Sequence, residues 1–357
     1  MNMNRAVPSR KRATMKDVAD EAGVNRSTVA RVIEQPELVA KKTRLKVEGA
    51  INKLDYMPNR LASALRGKRS RIVTLLAPPR LAAVYGAIVT ELTKKLSEEG
   101  LIVNLFPISR DAKANTSIIR EALGWSPAVL VNIGMPLAEN AIDIIKASNI
   151  PVVHLFDRPI IQFGSCVSYD HKAAALSLVS HLVSRGNRHI GYVHRGGDTT
   201  GLCLQRDRFD GFCAAIQNFG GTIIQAENCA RTHSVDGQIV GREFNTPAGF
   251  ASGKSLLSEY KEVSMMDALI FGSEMTAIGA VSACQEKGII VPQQLSLAIF
   301  DGTEMSEVVS PQITCLDYTF NRVAEAGSRR IVEVAKAPET PFANIEVPFS
   351  IRIGETT

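Results

Sequence analysis

Apolar residues recur at helical spacing near the start of the chain and in short blocks after it. Met15, Val18, Ala19 and Ala22 stand at i, i+3, i+4 and i+7, which gathers them on one face of a helix. Thr14 with Asp17 reads as a capping box written with Asp, and Gly23 supplies the stop. Val24 and Asn25 then form a turn, and Asn25 can cap a second helix that buries Val29, Val32 and Ile33. Arg26, Ser27, Ala30 and Arg31 are left on the opposite face. A third helix, over about 42–56, buries Val47, Ala50, Ile51 and Leu54, with Pro58 beyond its end. Ala40 cannot cap it, so its start is less well marked. The segment NRLASALRGKRS follows, a weak helical pattern that ends in a basic cluster and reads as a conditionally helical linker.

From Arg71 onward the period changes. RIVTLLAP, LIVNLFPI, AVLVNIGM and VVHLFDR, then HIGYVHR, TIIQAEN, MDALIFGS and LSLAIFDG, read as strands, with amphipathic helices between the early ones, the first near 82–99. This rhythm predicts βαβ units and parallel sheets. Residues 71–357 exceed one comfortable core, so two similar α/β subdomains facing a cleft are expected. Ligands of such sheets bind beyond the carboxyl ends of the strands.

Charge separates the same two regions. Residues 1–71 hold 17 Lys and Arg against 7 Asp and Glu, whereas the rest of the 357 residues holds 24 against 29. A small basic module joined to a mildly acidic body is the electrostatic footprint of nucleic-acid binding. Arg5, Arg10, Lys11 and Arg12 read as a solvated tail, because no apolar period accompanies them. Apolar runs such as 128–135 are too short for a membrane span, and the basic start lacks a signal peptide's apolar stretch. A cytoplasmic protein is therefore expected. The six cysteines show no metal-ligand spacing and read as buried thiols in a reducing compartment; neither a metal nor a cofactor is expected.

A helix-turn-helix sends the start of its second helix into the major groove. Arg26, Ser27 and Arg31 stand where this requires. Arg can pair bidentately with guanine O6 and N7, Ser can donate or accept, and the small Ala30 permits close approach. Asn25, Thr28 and Asn59, with backbone N–H groups at helix starts, suit phosphate contacts that set the register. The run from Thr14 to Ser70 resembles the headpiece and hinge of the lactose-repressor (LacI/GalR) family of bacterial transcription regulators. The alternating remainder suits that family's body, which is similar to periplasmic sugar-binding proteins. The resemblance implies a basic flexible tail at 1–13, a helix-turn-helix domain at 14–59, a hinge at 60–70 and an effector-binding and dimerisation domain at 71–357. It implies that the two subdomains of that body run over about 71–170 plus 303–328 and 171–302 plus 329–357. It also implies that the hinge folds on operator DNA, with Leu65 wedged into the minor groove.

Polar and aromatic residues just after the expected strands are the candidate ligand contacts: Asp157, Arg208, Phe244, Ser273 with Glu274, and Asp301. An Arg and carboxylates beside an aromatic ring suit a polyhydroxylated or acidic small molecule. The family resemblance implies that Arg208 clamps the ligand, Asp301 contacts it, Phe244 stacks on it, and Tyr85 and Val84 border the pocket. Ser273 and Glu274 replace the Asn-Asp of many relatives, and Leu202 and Leu204 replace the polar contacts of a purine site, which argues against a purine. His189 and His194 are expected to pack or hydrogen-bond within a strand.

Two segments resemble phosphate loops. GFASGKS has three residues between Gly249 and Gly253 where a phosphate-binding loop needs four, and RGGDTTG lacks the GxGxxG spacing. An enzyme is not expected. The expected function is that of a ligand-responsive, sequence-specific DNA-binding regulator, a homodimeric repressor of a carbohydrate or sugar-acid catabolic operon. Its expected partners are double-stranded operator DNA and a sugar, sugar acid or sugar phosphate, with no membrane. The chain stops at GETT without a leucine-heptad tail, so a dimer is expected rather than a tetramer. The alternative is a solute-binding protein of the periplasmic type without a regulatory role.

Overall fold

A computed structural model describes residues 13–56, 70–78, 83–109, 111–157, 163–196, 203–224, 238–247, 249–259, 261–317 and 319–357. It divides into a unit ending at Arg69 and a larger unit starting at Ser70.

In the first unit, α1 (Met15–Ala22), α2 (Arg26–Glu34) and α3 (Lys41–Lys53) enclose a core of Val18, Ala19, Ala22, Val29, Val32, Val47 and Ala50. The expected capping box forms. The Asp17 N–H donates to Thr14 Oγ1 at 3.3 Å, and Asp17 Oδ2 accepts from the Thr14 N–H at 2.7 Å. Gly23 takes a left-handed φ of 65°, which lets the chain turn sharply into α2 without a Cβ clash. Asn25 occupies the N-cap of α2 but makes no side-chain cap, a departure from expectation that leaves its amide exposed. Ala40 caps α3 only through its backbone: a single 3₁₀ turn over Pro36–Leu38 precedes it, and its carbonyl receives the Thr43 and Arg44 N–H groups. Lys41–Lys53 is shorter than the expected 42–56 at its far end, where Asp55 has φ 47° and cannot extend the helix.

The second unit alternates as expected. Its elements begin β1 (Ile72–Ala77), α4 (Ala83–Glu98), β2 (Ile102–Pro107), α5 (Thr116–Gly124), β3 (Val129–Ile133), α6 (Glu139–Ala147), β4 (Val152–Leu155) and β5 (Ser165–Ser168). They continue as α7 (His171–Ser184), β6 (His189–Gly196), α8 (Cys203–Asn218), β7 (Thr222–Ile224), β8 (Val240–Pro247), α9 (Phe250–Glu259), β9 (Ala268–Phe271) and α10 (Glu274–Lys287). The last are β10 (Ser296–Asp301), α11 (Glu304–Val308), β11 (Thr314–Leu316), α12 (Thr319–Lys336), β12 (Asn344–Glu346) and β13 (Ile351–Arg352).

Two sheets form. One has the order β12-β5-β4-β3-β1-β2 and is parallel throughout; the other is β13-β11-β10-β9-β6-β8-β7, parallel except where β13 meets β11. The chain passes between them after β5, after β11 and after β12. This corrects the expected division, which gave 303–328 to the first subdomain and 329–357 to the second. Thr314 pairs in register with Ala298 of the second sheet, whereas α12 packs on α4 and β4 and Asn344 pairs with Cys166 of the first. Strands as short as TCL and NIE carry too little pattern to reveal this.

GFASGKS is not a loop between strand and helix. Gly253 lies within α9, where a Cβ would come 1.8 Å from the Thr276 carbonyl oxygen of α10, and Lys254 pairs with Glu286 at 2.7 Å. The glycine serves backbone-to-backbone helix packing, which accounts for the motif without a phosphate.

Candidate DNA interface and ligand site

The buried stripe of α2 orients its polar face. Val29 and Val32 are buried, Thr28 and Ala30 are half-buried, and Asn25, Arg26, Ser27 and Arg31 are exposed. Five donors of a guanidinium fork are therefore available at each Arg near a helix start, with the partial positive charge of that start behind Arg26. Asn59, Leu65 and the basic tail lie outside the described residues.

In the second unit the strand ends converge as expected, but the side chains meet in a different way. Arg208, in α8, is 1% exposed. Its Nη2 donates to Asp301 Oδ2 at the end of β10 and to the Tyr169 hydroxyl, and its guanidinium carbon lies 4.4 Å from the Phe300 ring centroid. Tyr169 donates to Asp301 Oδ1 at 2.7 Å, and Thr319 donates to the same oxygen at 3.1 Å. Arg208 Nε donates to His171 Nδ1 at 3.3 Å, so the other ring nitrogen carries the proton and donates to the Phe156 carbonyl at 2.7 Å. His171 is thereby held as one neutral tautomer.

Electrostatics follow from this packing. Burial alone would raise the Asp301 pKa, but the Arg208 charge and the hydrogen bonds from Tyr169 and Arg208 hold it below the usual carboxylate value. Burial pushes the Tyr169 phenol well above its ordinary range. Burial, with the adjacent Arg208 charge, lowers the His171 pKa to about 3.

Asp157 is also brought to this region, beside Tyr169 and His171. It follows β4 in the first subdomain, and its Oδ1 accepts the Leu204 N–H at 2.9 Å in the first turn of α8 in the second. A carboxylate at a helix start is favoured by the free N–H groups there, so Asp157 ties one subdomain to the other. A cavity of about 330 Å³ lies beside this contact, lined in part by Asp157, Tyr169, His171, Asp207 and Glu346. Tyr85 is half-buried in α4, its hydroxyl 3.7 Å from where a Cβ on Gly134 would stand, at the end of β3; Val84 is half-buried beside it.

Phe244 and Glu274 serve the fold, and Ser273 stands at a helix start. Phe244 is 2% exposed and belongs to the core with Val193, Leu256, Leu269 and Phe271; its strand register pairs it with Val193 and turns its ring toward α9 and α10. Glu274 accepts the Thr303 N–H at 2.8 Å and its hydroxyl at 2.9 Å, so it anchors the turn after β10, and burial raises its pKa. Ser273 is the half-buried N-cap residue of α10 and makes no side-chain cap. Leu202 lies outside the described residues. His194 does pack as expected, edge-on to Tyr192 and Phe209, with Glu243 3.1 Å away.

Tyr169, His171, Phe300 and Thr319 were not singled out from the sequence. The available signal was Ser-Tyr-Asp-His just before α7, where Asp170 caps the helix by accepting the Lys172 and Ala173 N–H groups. Among the described residues no helix is long and apolar enough to cross a membrane, and no group of three or more possible metal ligands occurs.

Comparison with known proteins agrees with both halves. The model for bacterial regulatory proteins of the lacI family matches residues 14–59, and that for the periplasmic binding protein-like domain matches 179–357. The chain is similar to the HTH-type transcriptional regulator GntR of Escherichia coli, 23% identical over 97% of this chain and 98% of that protein. It is similar to catabolite control protein A of Staphylococcus xylosus, 27% identical over 96% and 99%. Among solved structures, the lac repressor dimer bound to operator and an anti-inducer superposes with a TM-score of 0.78, at 23% identity over 97% of this chain and 99% of that one. The complex of the regulator CelR with cellobiose gives a TM-score of 0.67 at 20% identity, over 97% and 100%. A basic helix-turn-helix unit joined to a two-sheet parallel body, matched by both domain models, makes this chain a member of the lacI family of bacterial regulatory proteins, the ligand-responsive DNA-binding transcription regulators.

Proposed function

We propose that the protein is a homodimeric repressor that reads a near-palindromic operator through α2 and releases or tightens its hold when a sugar, sugar acid or sugar phosphate enters the cleft of its body. The observation that carries this reading is the exposed row Asn25, Arg26, Ser27 and Arg31 opposite the buried Val29 and Val32, in a basic unit, on the same chain as a periplasmic binding protein-like body. Dimerisation is supported by geometry, because one small headpiece buries little DNA surface and two-fold operators suit two-fold proteins. The carbohydrate class is supported by the Arg208–Asp301 cluster with its aromatic neighbours and by the fold shared with a cellobiose-bound regulator. The protein acts in the cytoplasm, on the nucleoid when bound to its operator, and carries no catalytic machinery. Asn25, Thr28 and Asn59 set the register on phosphates, and Leu65 wedges the minor groove. Tyr85, Asp157, Ser273, Arg208 and Asp301 border the effector.

The test begins with an operator selected from random duplexes. With about six phosphates neutralised, log Kd against log salt has a slope of magnitude near 5. A salt-independent Kd would remove the DNA assignment. Arg26→Ala is expected to cost roughly 1–3 kcal/mol and to relax preference at one operator position. Equal weakening on all duplexes would make Arg26 a phosphate contact instead.

A further inference from the structure

The first sheet has two ends, and Asp157 follows the carboxyl end of β4, on the side of the Arg208 cluster. Val152 and Ser165 open β4 and β5 at the opposite, amino ends. A cavity of about 350 Å³ lies there, bordered by the end of α6 and by the segment after α12. That volume falls at the lower end of the roughly 300–1,000 Å³ of small-molecule pockets.

Ile145, Ile150, Phe163 and Val334 give the cavity an apolar lining, and Ser165 interrupts it. Ser165 is 1% exposed, and its Oγ accepts from Arg330 Nε at 2.9 Å and from the Ala343 N–H at 3.3 Å. A hydroxyl has two lone pairs and one proton, so both acceptor positions are filled and the proton has no acceptor among the described residues. Buried donors are rarely left so, and the space that Ser165 borders is this cavity. Arg330, 4% exposed, donates from behind and makes that O–H a stronger donor.

The charge at the rim agrees. Lys146 Nζ stands 5.8 Å from the Phe163 ring centroid and meets no carboxylate among the described residues, and the Asn149 amide likewise has no partner there. No Asp or Glu is among the described residues of the lining; Glu333, which pairs with Arg330 at 2.8 Å, is exposed and lies outside it.

We propose that this cavity is a second ligand site, separate from the effector cleft, for a small carboxylic acid with an apolar, ring-sized body. A carboxylate oxygen accepts the Ser165 proton, Lys146 and Asn149 donate at the rim, and the body lies on Ile145, Ile150, Val334 and the exposed Phe342. An amine would leave the Ser165 proton unpaired and face Lys146. A sugar would set most of its hydroxyls against hydrocarbon. The site needs neither the operator reading nor the effector reading to hold.

The experiment uses full-length wild type and Lys146→Gln, labelled at the isoleucine δ1 methyl groups for NMR, with benzoate and its neutral counterpart benzamide as probes. Benzoate is expected to shift the Ile145 and Ile150 signals saturably, while Ile299, in the core of the second subdomain, stays fixed. Benzamide is expected to bind wild type roughly tenfold or more weakly, the factor for hydrogen bonds to a charged group. Lys146 is exposed, so Lys146→Gln keeps the fold and weakens benzoate by a smaller factor, roughly threefold to fivefold. Ser165→Ala should weaken benzoate too; since it also takes an acceptor from Arg330, Lys146→Gln decides the matter if that variant unfolds. Ile145 and Ile150 signals that stay still at millimolar benzoate would overturn the site, wherever else benzoate binds. Equal binding of benzamide would reduce it to an apolar groove, and unchanged benzoate affinity in Lys146→Gln would remove the anion; either result overturns the proposal.

Discussion

Arg208→Met is expected to lower the unfolding free energy of the body by about 3–5 kcal/mol, the cost of removing one partner of a buried charge pair. Asp301 and Tyr169 would be left beside an apolar side chain, with the Tyr169 and Thr319 hydroxyls as the remaining donors to the carboxylate. The charge could escape by taking a proton, so the deficit should shrink as pH falls. Urea unfolding followed through Trp125, the chain's one tryptophan and part of the body, measures it. Arg208→Met with Asp301→Leu should recover a large share of the loss, because the pair is then replaced by apolar groups. A loss under about 1 kcal/mol for the single variant would mean that the pair behaves like a solvated surface bridge. The consequence for function is direct. Arg208 is a structural charge in the body, so an effector that engages it must compete with Asp301, Tyr169 and His171.

Acid is expected to destabilise the body steeply between about pH 6 and 4.5, through three histidines that the fold keeps neutral. Burial lowers the pKa of His154 to about 4, of His194 to about 4 and, with Arg208 adding repulsion, of His171 to about 3. In the unfolded chain each titrates near 6.5. The unfolded state therefore binds more protons throughout this window, so the stabilisation is full above about pH 6.5 and is lost as pH falls toward the folded values. Up to about three protons are taken up on unfolding near pH 5, a slope of up to about 4 kcal/mol per pH unit. Glu274 opposes part of this, since its pKa is raised in the fold and it takes up a proton there first. Protonating His171 in the folded body takes acid well below this window, and it would place an N–H against the Arg208 N–H that the ring now accepts. Unfolding curves at half-unit pH intervals give the proton uptake, and a value below one would show these rings to be solvated.

Local signals served well where the physics is local. Thr14 with Asp17, Gly23, and the spacing of Val29 and Val32 depend on residues within one or two turns, so the helix-turn-helix and its exposed arginines could be read directly. Long apolar blocks such as IVTLLA and ALIF announced buried parallel strands for the same reason. β8, with Arg242 and Glu243 in its middle, and the two- and three-residue strands near the end did not, because their pairing partners rather than their own pattern make them strands.

The amino-acid sequence by itself determined that a basic three-helix reader is joined to an alternating α/β body, that α2 presents Arg26, Ser27 and Arg31, and that Arg208 and Asp301 stand near strand ends. Only the tertiary structure decided what those ends do. Whether Phe244 faces a ligand or the core turns on which way one register sends alternate side chains. That Arg208 is engaged by Asp301, Tyr169 and His171 depends on a strand passage at 168–171 that brings together residues 93 positions apart in one pair and 132 in another.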